Sequence, residues 1–109
     1  MMNDKQAVTK LSALAHLHRL HIFRLLVEKG ESGIAAGDIS EALDISTTST
    51  SFHLKELERA GLITATRDGR YIRYSIMVGA MRELLTFLTE DCCQGRPGIC
   101  GVEIIGDAG

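Results

Sequence analysis

The stretch from Ile39 to Tyr74 most constrains what this chain can become. Two short helical patterns stand about three residues apart, and a strand, turn and strand follow at once. The first pattern covers about residues 36–43, with Ile39, Ala42 and Leu43 inward. Asp44-Ile45-Ser46 is the expected turn, and Ser46 is a good N-cap for the next helix. That helix covers about residues 47–60 and stops at Gly61. Residues 62–67 read as a strand, Asp68-Gly69 as a two-residue hairpin turn, and residues 70–76 as the return strand. Alternation puts Tyr71, Arg73 and Ser75 on one face of that strand and Ile72, Tyr74 and Ile76 on the other.

The flanks are helical. Val8, Leu11, Leu14, Ala15 and Leu17 predict an amphipathic helix over about residues 4–17. Leu20, Ile22, Phe23, Leu25, Leu26 and Val27 predict a second helix that is central and buried, ended by Lys29-Gly30. Glu31-Ser32-Gly33 is expected to be a loop. Met81, Leu84, Leu85 and Leu88 form one stripe of a last helix over about residues 78–90. The order α-α-α-α-β-β-α, mainly helical with a β-hairpin wing, is that of a winged helix-turn-helix. At 109 residues the chain has room for one domain, expected over residues 1–91, with a cysteine-containing tail over 92–109. So small a core favours a homodimer that hides an apolar helix face. No apolar run approaches a membrane span and residues 1–5 lack a signal-peptide core, so the cytoplasm is the expected compartment.

In a winged helix-turn-helix, the second helix of the pair enters the DNA major groove and the wing meets the phosphates. A helical wheel puts Thr50, Leu54 and Leu57 inward with His53 at their edge, and Thr48, Ser51, Phe52, Lys55 and Arg59 outward. Hydroxyls bond bases or phosphates, and an apolar ring contacts a thymine methyl. The run from Ser46 to Ser51 also suits a cap and a polar loop, but six weak helix formers in a row point to a task beyond stability. The overall net charge of -2 excludes binding by bulk attraction. Its distribution matters more: residues 53–75 carry five basic and three acidic groups, while 76–109 carry two and five. Thr47, Thr48, Ser51, Phe52, Lys55, Arg70 and Arg73 are therefore the expected contacts to double-stranded DNA. No Ser/His/Asp arrangement, phosphate loop or carboxylate pair suggests an enzyme.

Ser51-Phe52-His53-Leu54-Lys55-Glu56-Leu57, then Ala60-Gly61-Leu62-Ile63, resembles the recognition-helix signature of the ArsR/SmtB family of metal-responsive repressors. The hairpin around Asp68-Gly69-Arg70 and Tyr74 is similar too, and the resemblance covers roughly residues 8–93. It implies a homodimer through the first and last helices, and a DNA-bound apo form released by an inducer. Two of that family's inducer sites are missing. Residues 35–39 hold no thiol where an arsenic-type site has Cys-Val-Cys, and residues 78–90 hold no His or Asp for a zinc-type site.

What remains is Cys92, Cys93 and Cys100, with Gly95 and Pro97 able to turn the chain back between them. Three sulfurs suit a trigonal ion such as As(III) or Sb(III), whereas zinc takes four ligands. Glu90, Asp91 and the helix C-terminus disfavour thiolate, which arsenite tolerates because it condenses with neutral thiols. The segment resembles the C-terminal three-cysteine site of an arsenite-responsive branch of the family, which implies these three residues as ligands of As(III) as inducer, with no cofactor required. Two other readings stay open. One is a redox switch in which Cys100 pairs with Cys92 or Cys93, and the other is a metal buffer. His16, His18 and His21 form a second cluster, in which His18 and His21 can share a helix face and His16 and His18 cannot. The plainer expectation is polar residues at a helix boundary, with His53 packed beside Leu54 and Leu57.

Overall fold

A computed structural model describes residues 2–93 of the chain, with side chains through residue 89. The elements run α1 (Asp4–Leu14), α2 (Leu17–Lys29), a 3-10 turn (Gly30–Ser32), β1 (Ile34–Ala35), α3 (Ala36–Leu43), α4 (Thr47–Arg59), β2 (Ile63–Asp68), β3 (Tyr71–Ile76) and α5 (Val78–Cys93). This is the expected winged helix-turn-helix order with one strand added.

Local signals explain most of the helix ends. Asn3 and Gln6 form a capping box at α1, each side chain accepting from the other's backbone N–H, at 2.8 and 3.0 Å. Ser46 caps α4 by accepting from the Ser49 N–H at 3.1 Å. The turn between α3 and α4 is a Schellman motif around Asp44, whose φ of 54° is left-handed. The Ile45 N–H reaches the Ser40 carbonyl at 3.0 Å, and the buried Ser40 hydroxyl donates to the Ile45 carbonyl.

The core lies where α2, α3, α4 and the base of the hairpin meet. Ile22, Leu26, Ile39, Leu54, Leu57, Leu62 and Ile63 are fully buried there. A second small cluster of Met2, Ala7 and Leu84, with Phe87 against it, ties α5 to α1. The sheet order is β1-β3-β2, all antiparallel. Along β2 only Ile63 is buried, so the hairpin leaves the core at its base and projects outward.

Several expectations need correction. The first helix ends at Leu14, not near Leu17, because His16 turns extended (φ -153°, ψ 129°) and caps α2 with its own ring. The second helix is buried on one side only, and Leu17, Leu20 and Val27 are exposed. Residues 31–33 are not a free loop: a 3-10 turn leads into β1, whose Ile34 and Ala35 pair with Tyr74 and Arg73. Ile72 shares a strand face with Tyr74 and Ile76, yet it is exposed because no core lies beneath the wing tip. The last helix continues through Cys93, three residues past the expected end at residue 90.

Candidate nucleic-acid interface

α4 has two unlike sides. Thr50, His53, Leu54 and Leu57 are buried, while Thr47, Thr48, Ser51, Phe52 and Lys55 are exposed. This is the division drawn from the helical wheel. Phe52 keeps 55% of its surface exposed although a large apolar ring gains by burial. Arg59, also on the outer side, pairs with Glu56 at 3.3 Å. The Schellman turn and the Ser46 cap fix the start of α4, so its first two turns present their hydroxyls from a defined backbone.

The wing supplies the second part. Arg70 follows Gly69 at the hairpin tip and is exposed. Arg73 is half-buried, and its Nε donates to the Ser32 carbonyl at 3.2 Å. Arg73 therefore also ties the wing to the 3-10 turn, a task that strand alternation did not reveal. Its terminal nitrogens leave further N–H donors in the guanidinium fork. Tyr74 packs on the core, and burial, then Glu58, pushes its hydroxyl pKa up.

Sequence reasoning missed Arg19. Its Nε donates to His53 Nδ1 at 3.2 Å, and its guanidinium carbon lies 5.6 Å from the centre of the Phe52 ring. One cation on α2 thus touches both the buried and the exposed side of α4. Burial, then the neighbouring His16, Arg19 and His18, hold the His53 pKa below its ordinary value. His16 and His18, which one regular helix cannot bring together, converge here on His53 because the chain breaks between α1 and α2. His21 is exposed and outside this group. Nothing in the sequence announced the break: residues 15–16 hold no Pro or Gly, and His is not among the favoured N-caps.

Of the expected thiol ligands, Cys92 and Cys93 are the last two residues of α5, and Cys100 lies outside the described residues. No described helix is long and apolar enough to cross a membrane.

A capped helix behind a Schellman turn, flanked by a three-stranded wing, defines the winged helix-turn-helix class of regulators. A family described as "Helix-turn-helix domain" matches residues 14–65. The chain belongs to the ArsR/SmtB family of transcriptional regulators. It is 34% identical over 89 residues to the HTH-type transcriptional regulator YgaV of Escherichia coli (strain K12), covering 82% of this chain and 88% of that one. It is 32% identical over 87 residues to the arsenical resistance operon repressor of Bacillus subtilis (strain 168), covering 80% and 79%. Among solved structures it is similar to the homodimeric winged helix-turn-helix DNA-binding domain Mb0332 of Mycobacterium bovis. The TM-score is 0.65 and the identity 25%, with 85% of this chain and 90% of that one covered. These relatives are DNA-binding regulators and not enzymes.

Proposed function

We propose that the chain is an As(III)-responsive transcriptional repressor. It binds operator DNA as a homodimer and leaves when As(III) joins Cys92, Cys93 and Cys100. In this reading α4 enters the major groove, with Thr47, Thr48, Ser51, Phe52 and Lys55 toward the bases and adjoining phosphates. Arg70 and Arg73 meet the backbone from the wing. The observation that carries the reading is the double character of α5. Its last two residues are cysteines, and its outer stripe leaves Leu85 and Leu88 exposed at 55% and 42%. On α1, Val8 and Leu11 are exposed as well. A second copy covering these residues places the dimer contact and two of the three thiols on one helix. Ion binding at its end then changes how the two reading heads are spaced, at a coupling of about 1–3 kcal/mol.

The chemistry balances without an oxidant. Each As–S bond formed from arsenous acid and a neutral thiol releases one water. The similarity to an arsenical resistance repressor supports the same inducer class. The test uses a fluorescent duplex selected from a random pool by the metal-free chain, in a phosphine reductant. Micromolar arsenite should lower the anisotropy of the complex. Cys92→Ser and Cys100→Ser should bind the duplex normally and ignore arsenite. Release that persists in both variants, or that requires an oxidant in the wild type, overturns the arsenic assignment.

A further inference from the structure

His16 sits at the α1–α2 break, His18 in the first turn of α2, and His53 in the buried side of α4. One ligand nitrogen from each lies within 4.8 Å of the other two. The ring centres are 4.5 Å apart for His16 and His53, 5.6 Å for His18 and His53, and 5.7 Å for His16 and His18. We propose that these three imidazoles bind a divalent first-row transition ion, and that filling the site detaches Arg19 from the recognition helix.

The donor set selects the ion. Three neutral imidazoles suit zinc, nickel or copper, and they are poor ligands for magnesium or calcium, which take oxygen. A tetrahedral zinc site with Zn–N near 2.0–2.1 Å needs ligand nitrogens about 3.3 Å apart. The three nitrogens lie within 4.8 Å of one another, so filling the site asks for a closure of about 1.5 Å, a span that side-chain torsions can supply. The buried His53 provides a fixed wall, and the exposed His16 leaves the remaining position open to water. This donor set is also chemically distinct from the thiols, which select softer ions.

The link to Arg19 follows from counting lone pairs. A neutral imidazole has one ring nitrogen with a free lone pair, and the other nitrogen carries the proton. His53 already uses its lone pair to accept from Arg19 Nε at 3.2 Å. His16 uses its own to accept from the His18 backbone N–H, also at 3.2 Å. An ion on Nδ1 displaces the donor directly. An ion on Nε2 requires the proton on Nδ1, which then has nothing left to accept with. Either way, both hydrogen bonds are given up. The ion also sets two positive charges beside the Arg19 guanidinium, which repels it further. Because Arg19 also lies over Phe52, ion occupancy reaches the exposed face of α4 through a single side chain. The site itself does not depend on that face contacting DNA; only its regulatory consequence does.

Cobalt(II) is the probe, added to the full-length reduced chain. The expected result is visible ligand-field absorption without a sulfur-to-cobalt charge-transfer band. It should persist in the Cys92→Ser/Cys93→Ser/Cys100→Ser variant. His16→Asn keeps an N-cap acceptor and His18→Gln alters a partly exposed residue, so both should fold, as circular dichroism will check. Each should weaken cobalt binding by at least about tenfold. Absorption unchanged in both histidine variants, a spectrum that vanishes with the cysteines, or no saturable binding below millimolar cobalt overturns the site. A zinc titration followed by NMR tests the second half. The Arg19 Nε–H resonance should move on saturation, and an unchanged resonance overturns its release. None of these readouts involves DNA or arsenite, so they succeed or fail independently of the repressor reading.

Discussion

Thr50 shows how a single side chain can oppose the fold that holds it. It is fully buried on the inner side of α4, and its hydroxyl has no hydrogen-bond partner among the described residues. Burying an unpaired hydroxyl costs about 1–3 kcal/mol. Thr50→Val keeps the shape and removes that cost, so it should raise stability by about 1 kcal/mol, seen as a higher urea midpoint at unchanged slope. Arg70 and Arg73 divide in another way. Arg70→Ala should weaken all duplexes alike and shorten the salt dependence by about one phosphate contact, with stability unchanged. Arg73→Ala should also lower the melting temperature, because it loses the bond to Ser32. Equal melting temperatures for the two variants would remove that structural role. Arg73 was legible as a cation on the wing's outer face. Its hold on Ser32, distant in sequence, was not, since alternation reports a face and never a partner.

At the scale of elements, what the sequence makes legible follows from how local the cause is. The third helix falls over residues 36–43 as expected, and Ser46 caps the fourth, because caps and turns act within a few residues. The two-residue β1 has no period to read, and it exists only because β3 offers an edge. Gly33 marks the place where that edge comes close. Its φ is +71°, and a Cβ there would stand 2.8 Å from the Tyr74 carbonyl oxygen. Gly33→Ala should therefore cost more than about 1 kcal/mol in chemical denaturation, through both the left-handed φ and the clash. The His16–His18–His53 grouping was hidden for a related reason. Each residue was visible alone, but the break after Leu14 that brings them together carries no Pro or Gly to announce it.

The whole molecule divides its apolar surface unevenly. The central core is closed, but Leu85 and Leu88 on α5 and Val8 and Leu11 on α1 remain uncovered in one chain. If these residues form the proposed dimer contact, Leu85→Glu and Leu88→Glu together should turn a wild-type dimer into monomers in sedimentation, and operator affinity should fall while the monomer stays folded. A dimer that survives both substitutions would move the interface elsewhere. The charge distribution, a basic middle between acidic flanks, belongs to this scale and was fully legible in the sequence. The sheet order β1-β3-β2 has one more consequence, in time rather than in space. The hairpin of β2 and β3 closes over Gly69 and Arg70, one residue later than the expected Asp68-Gly69 because Asp68 pairs with Tyr71, and such closure is an event of microseconds. Pairing Ile34 with Tyr74 must first close the long loop that contains α3 and α4, at a larger entropic cost. β1 is thus the last strand to join and the first to leave, and its amides should exchange with solvent ahead of those in the hairpin.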